Sequence, residues 1–334
     1  MTSSENKQKE CLSKSFFERL GFLLGCSLIV LFFSEYFFFN EGVTEHLHAT
    51  LRSPKLLLLN LIEMSIFYLL AVAPAILVLY YTRVSSIWGV FLVGAIIGYF
   101  IEGLVVPVIY MELPISIIWT ALSWHPIIDV IFGLWILQYC LREKSFSINC
   151  IICSVIGIIW GIWSTWPIGH LSDATGEILT FVPAAEFTAF LFVTTGILFV
   201  GNILVSSGAD KPFAPTRLDY SIFVITSLCL FILMALQVSV LILIFIIAVS
   251  LFYMPLHYAN KKCGRDKSIV LHSFEKAPPF PNQLTIWAMP VTASITYWVM
   301  SEQNWHVESW ILTLPLMILG FALAVISPFK MLRS

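Results

Sequence analysis

Charged side chains are scarce in this chain. Asp, Glu, Lys and Arg make up 11% of its 334 residues and hydrophobic residues 59%, whereas an ordinary soluble domain carries roughly 25% charge. A soluble protein of this size could not hide so much apolar surface, so a soluble nucleic-acid binder is excluded. Familiar catalytic loops are also missing, with no Walker phosphate loop, no Gly-x-Ser-x-Gly elbow and no His-Glu-x-x-His helix. The seven cysteines are an odd number scattered at 11, 26, 140, 150, 153, 229 and 263, which argues against a disulfide framework. Cys150 and Cys153 form a Cys-x-x-Cys, but no second pair stands at zinc-site spacing, and both read as small apolar residues of a span. No small-residue cleavage site follows the first apolar block, which therefore reads as a span that stays.

What the chain has is apolar runs of membrane-crossing length. They fall at 16–39, 55–81, 86–110, 114–140, 147–166, 181–205, 220–237, 238–258, 284–301 and 308–329. The expected fold is all-α, a polytopic membrane helical bundle of about ten transmembrane helices. The stretch 220–258 has almost no internal loop, but as one helix it would run about 58 Å, nearly twice the hydrocarbon thickness. A tight hairpin turning near Gln237 is the simpler reading.

The positive-inside rule tests that count. With both ends in the cytoplasm, the inner segments hold Lys7, Lys9, Lys14, Arg19, Arg83, Arg142, Lys144, Lys211, Arg217, Lys261, Lys262, Arg265, Lys267, Lys276, Lys330 and Arg333. Of the 18 basic residues only Arg52 and Lys55 are left outside. Removing the hairpin would move the five-charge segment outside, so the ten-span, N-in/C-in arrangement is kept. A basic and then proline-rich segment at 259–283 reads as a cytoplasmic linker between a membrane domain of about eight spans, 1–258, and a final two-helix hairpin, 284–334. The partner this implies is the lipid bilayer, and the expected location is a bacterial inner (plasma) membrane.

Acids are distributed the other way. Glu35, Glu41, Glu45, Glu63, Glu102, Glu112, Asp129, Asp173, Glu177, Glu186, Glu302 and Glu308 fall in the outer half or outside, with His46, His48, His125, His170 and His306. Such a mouth attracts cations and protons and repels anions. Three of these residues lie at depth: Glu102 roughly 12 Å from the outer end of its span, His125 well inside the next, and Asp129 one turn further on the same face. An ionised carboxylate there is costly unless paired, protonated, hydrated or metal-bound. Their matching depths let the three meet. Gly94, Gly98 and Glu102 stand four apart, a small-residue groove that aims Glu102 at another helix; Gly157, Gly161 and Ser164 make a similar stripe. Pro126 cannot donate to the carbonyl of Leu122, which would leave a free acceptor beside His125. His170, Asp173 and Glu177 lead to Glu186 and could belong to the same mouth. Trp119, Trp124, Trp163, Trp166 and Trp305 read as an interfacial belt or as packing.

Three functions fit. The first is a cation- or proton-coupled transporter of a small cation or small-molecule substrate, with Glu102, His125, Asp129, Glu186, His170 and Asp173 as its binding residues. The second is a membrane-embedded metal-dependent hydrolase holding a divalent metal such as zinc on His125, Asp129 and Glu102. His125-x-x-x-Asp129 resembles the last motif of the intramembrane proteases related to the CAAX-processing and bacteriocin-processing enzymes, which implies such a hydrolase. The likeness is confined to that segment: Ile101-Glu102-Gly103 offers one acid and no arginine, and Phe-x-x-x-His is missing. The third is a non-catalytic scaffold in which Glu102 and His125 hold helices together.

Overall fold

The computed structural model describes residues 14–39, 53–171, 176–263 and 268–333. These are helical throughout, apart from short connections and one isolated bridge between Leu171 and Ile178. Eight helical stretches among them are long and apolar enough to cross a membrane. The first six spans are Phe16–Tyr36, Pro54–Thr82, Ile87–Val105, Ile115–Glu143, Phe146–Trp163 and Ala184–Ser206. The stretch Arg217–Lys261 doubles back at Ser239, whose φ of 56° lies in the left-handed region. Phe231 on one limb then faces Phe245 on the other at 6.4 Å. The hairpin expected near Gln237 is therefore present, and its limbs, Arg217–Val238 and Ile242–Cys263, are the seventh and eighth spans. Phe280–Leu284, Thr285–Trp287 and Ala288–Glu302 follow one another as a single helical run that is not among those eight but packs between the spans as the ninth, and Trp310–Arg333 is the tenth.

Helix starts follow local chemistry. Ser15 and Glu18 form a capping box, with Ser15 N–H donating to Glu18 Oε2 at 2.6 Å, and Ser53 and Ser86 cap the second and third spans through their hydroxyls. Such caps satisfy orphan N–H groups that a membrane leaves without water. The third span is apolar all round and buried along Gly89–Tyr99, as an all-apolar helix at the centre of a bundle must be.

The connections sort onto two ends. At one, Lys14 Nζ donates to the Ser207 and Gly208 carbonyls at 2.8 and 2.5 Å, Arg142 Nε to Lys276 O at 2.8 Å, and Ile269 N to Val84 O at 2.7 Å. Beyond residue 267 the segment read as a cytoplasmic linker packs on this basic end, with Ser268, Val270 and Phe274 buried and the Arg142 guanidinium 4.9 Å from the Phe274 ring. At the other, acidic end Val307 N donates to Thr165 Oγ1 at 3.1 Å and Val182 N to Tyr297 Oη at 3.0 Å.

Small residues set the closest approaches. A Cβ on Gly98 would stand 2.3 Å from the Ala121 carbonyl oxygen, and one on Gly94 would stand 2.6 Å from Pro126 Cα, so the third and fourth spans meet backbone to backbone. Gly157 and Gly161 do the same against Met289 and Ala293 of the ninth span. Gly196, by contrast, has open space, with nothing nearer than 4.0 Å. Gly98→Ala is therefore expected to cost about 1–3 kcal/mol through forced separation of the spans, while Gly196→Ala is neutral or better. Thermal unfolding of the two purified variants checks this, and equal melting temperatures would contradict the packing.

Candidate functional site

Three of the spans leave α-helical geometry where they come together. The first ends in a π-helical turn at Phe32–Tyr36, the third in another at Ile101–Val105, and the fourth runs as π-helix from His125 to Leu137. π-Bulges re-aim side chains and recur at functional sites. Here each carries part of one polar cluster: Ser34 and Glu35, Glu102, and His125 with Asp129.

Glu102, His125 and Asp129 are in direct contact, all at 8% exposure or less. Glu102 Oε1 lies 2.9 Å from His125 Nε2, and Asp129 Oδ2 lies 2.7 Å from His125 Nδ1. The imidazole is thus held between two carboxylates, one on each nitrogen. Making both bonds at once takes two protons, either both on the ring or one on the ring and one on a carboxyl group, and both assignments leave the cluster with a net charge of −1. One further proton makes it neutral. Asp129 Oδ1 is buried and has no hydrogen-bond partner among the described residues, and a bare buried carboxylate oxygen is costly.

A hydrogen-bonded path leads away from the ring. His125 Nδ1 is also 3.4 Å from Ser34 Oγ. Ser34 Oγ is 2.5 Å from Tyr68 Oη, which in turn is 2.5 Å from Glu35 Oε1. Tyr68 has one hydroxyl proton. When it donates to Glu35, Ser34 donates to Tyr68 and turns a lone pair toward His125 Nδ1, whose principal partner is Asp129. Glu102, His125, Ser34, Tyr68 and Glu35 thus lie in one line of contacts, with His125 Nδ1 shared between Asp129 at 2.7 Å and the more distant Ser34 at 3.4 Å. Its longest step is the contact between His125 and Ser34.

The exit of the first span is held by tryptophans. A π-turn followed by a chain exit frees carbonyls, and in a membrane they need protein donors. The indole N–H groups supply them: Trp124 to Phe33 O at 3.0 Å, Trp160 to Tyr36 O at 3.0 Å, Trp163 to Phe38 O at 2.7 Å and Trp166 to Phe39 O at 3.1 Å. Trp124, Trp163 and Trp166, read as belt or packing, and Trp160 beside them hold the backbone that carries Ser34 and Glu35. Trp163→Phe keeps the ring and removes the shortest bond. We expect a loss of about 0.5–1.5 kcal/mol, the net worth of one hydrogen bond, since Phe38 O keeps a longer bond from Trp166 Nε1 at 3.3 Å; it is read as a lower melting temperature, and an unchanged one would contradict the role.

Other sequence expectations fare differently. The Leu122 carbonyl is not open beside His125, because it packs against Gly320 of the tenth span, where an added Cβ would sit 2.5 Å away. The break in the fourth span begins upstream of Pro126, at Trp119 with ψ of −117°. Among the described residues no three His, Cys, Asp or Glu side chains are placed to share a metal ion; Glu102 and Asp129 approach His125 from opposite nitrogens and do not converge on one point. Glu186, half-buried in the first turn of the sixth span, makes no hydrogen bond to the triad. His170 sits apart at the acidic end, edge-on to Trp166 at 5.9 Å. Asp173, His46, His48, Glu41, Glu45 and Arg52 lie outside the described residues.

Sequence reasoning missed Ser34 and Tyr68 and counted Glu35 only as one of many outer acids. A Ser-Glu pair at the end of an apolar run was the available signal. Comparison with protein-family models, with curated proteins and with solved structures finds no match for this chain.

Proposed function

We propose that this multi-pass membrane protein is a proton-coupled transporter of a small solute, with Glu102, His125 and Asp129 as its proton site. The observation that carries the reading is the chain from Glu102 through His125, Ser34 and Tyr68 to Glu35, five side chains within hydrogen-bond or near-contact distance inside a bundle of apolar helices. Buried ionisable residues joined in this way are the means by which membrane proteins relay protons. A site one proton short of neutrality changes its cost of burial each time it loads or unloads, and that difference can bias one conformation over another. The metal-hydrolase alternative has less support, since neither imidazole nitrogen is free to bind a metal or to deprotonate a water.

The test is uptake into proteoliposomes offered a panel of radiolabelled small solutes. Uptake that an inward proton gradient drives and a protonophore collapses supports the reading. It is overturned if no solute on the panel enters faster than into protein-free vesicles while the wild type and its Glu102→Gln, His125→Ala and Asp129→Asn variants give identical proton uptake.

A further inference from the structure

At the acidic end, beside the exit of the first span, lies a cavity of about 270 Å³. Half of its eight lining residues are aromatic, Phe38, Trp119, Trp163 and Trp166, and Ser309 and Thr313 are the two that carry hydroxyls. Phe38 is the hub, with ring centroids 6.2 Å from Trp119, 6.3 Å from Trp163 and 6.2 Å from Trp166. Trp163 and Trp166 stand nearly parallel at 5.8 Å. These rings are fixed, because the two indole N–H groups are already bonded to the Phe38 and Phe39 carbonyls. What they leave for a ligand is ring surface.

Ring faces carry negative charge density and attract cations, above all weakly hydrated ammonium groups that cannot find better partners in water. Two hydroxyls are too few to recognise a sugar or another strongly hydrogen-bonding solute. The surroundings have the matching sign: Glu308 adjoins Ser309 and is exposed, as are Glu112 and Glu302, and among the described residues the sole Lys or Arg at this end is Lys55. The pocket also abuts the proton chain. Phe38 stands three residues beyond Glu35, and its ring lies 4.4 Å from that of Trp124, the neighbour of His125.

We propose that this vestibule binds a small organic cation of the quaternary-ammonium class. As the solute class of the transporter it rests on the proposed function; as a binding site it stands apart from it. The cation lies against fixed tryptophan faces, so its affinity depends on charge and on the ring of Trp119, whose indole makes no hydrogen bond among the described residues.

The experiment is calorimetric titration of the detergent-purified full chain with choline, and with neohexyl alcohol, the uncharged carbon isostere of choline. Choline is expected to bind about tenfold or more tightly than the alcohol. Trp119→Leu is expected to lose about tenfold in choline affinity while still melting in one cooperative transition at a somewhat lower temperature, and Trp119→Phe to keep most of the affinity. Equal affinity for choline and the alcohol would overturn the proposal, as would unaltered choline binding by Trp119→Leu. Glu102→Gln is the separating variant and should bind choline as the wild type does. Normal choline binding by a wild type that moves no choline on a proton gradient upholds the vestibule as a binding site and overturns choline as the transported solute, whereas failure of the whole solute panel overturns the transporter reading.

Discussion

Glu102→Gln, a change of one oxygen for one NH₂ group, is expected to reduce proton-driven uptake to the level of protein-free vesicles while leaving the fold intact. The amide fills the same space and can still hydrogen-bond to His125 Nε2, now 2.9 Å from Glu102 Oε1. It cannot change its protonation state. The cluster then loses one of its two carboxyl groups and the charge cycle that the proposed mechanism needs. His125→Ala should abolish uptake as completely but also destabilise the protein, because it strands two carboxylates that the imidazole now bridges. The comparison matters for that reason: a purely structural role predicts that loss of function follows loss of stability across the two variants, whereas a proton site predicts that Glu102→Gln is dead and stable. Melting curves alongside uptake rates decide between them. A Glu102→Gln protein that transports at the wild-type rate would remove Glu102 from the mechanism.

Arg19→Ala is expected to be the most destabilising single change away from the site. At the basic end Arg19 Nε donates to Asp219 Oδ2 at 2.8 Å, and both side chains are almost fully enclosed. A second nitrogen reaches Thr216 Oγ1 at 3.2 Å and a third reaches Lys14 O at 2.8 Å. Asp219 closes the capping box that starts the seventh span, accepting from Thr216 N at 2.5 Å. The pair thus pins the start of the first span to the start of the hairpin. Removing one partner leaves a buried charge uncompensated, which costs about 3–5 kcal/mol. Arg19→Met combined with Asp219→Leu removes both charges and should recover much of that loss, less about 1 kcal/mol for the missing cap. Stability measured for the single and double variants tests this coupling. If the double variant is as unstable as the sum of the two single ones, the two residues act independently and the pairing is not what holds the helices.

Much of the architecture was legible because membrane helices obey coarse rules. Run length gave the spans, and basic residues gave two distinct ends, with Arg142, Lys211 and Lys276 on the same one in the structure. The hairpin followed from a length too great for one crossing, and Ser239 turns the chain within two residues of the expected place. At the site, depth along the helix brought Glu102, His125 and Asp129 to one level, and the four-residue spacing of Gly94, Gly98 and Glu102 identified the face that packs on the fourth span.

What was not legible depends on departures from regular helix. A period of 3.6 residues carried past Phe32, Ile101 or His125 misplaces every later side chain, because each π-turn rotates the register. This is why Ser34 gave no warning that it would approach His125, while Tyr68, on the regular second span, was one more aromatic residue in an apolar run. The tryptophans misled for a related reason. Indoles near a membrane interface need no further explanation, and only the freed carbonyls of Phe33, Tyr36, Phe38 and Phe39 show that four of them have partners. Metal-ligand spacing was equally ambiguous: His125 and Asp129 one turn apart suit a metal and suit a hydrogen bond, and the geometry has the hydrogen bond.

The central claim is that Glu102 and Glu35 are joined by one chain through His125, Ser34 and Tyr68, and Tyr68→Phe tests it most directly. The ring stays in place and only the hydroxyl that bridges Ser34 and Glu35 is lost. We would follow the carboxyl carbonyl bands by infrared difference spectroscopy across a pH titration, with Glu35→Gln and Glu102→Gln variants assigning the two signals. If the chain is real, Glu35→Gln shifts the titration of Glu102 in the wild-type background and has little effect on it once Tyr68 is Phe. If Glu102 titrates identically in the wild type, in Glu35→Gln and in Tyr68→Phe, the two carboxylates are independent and the account is wrong.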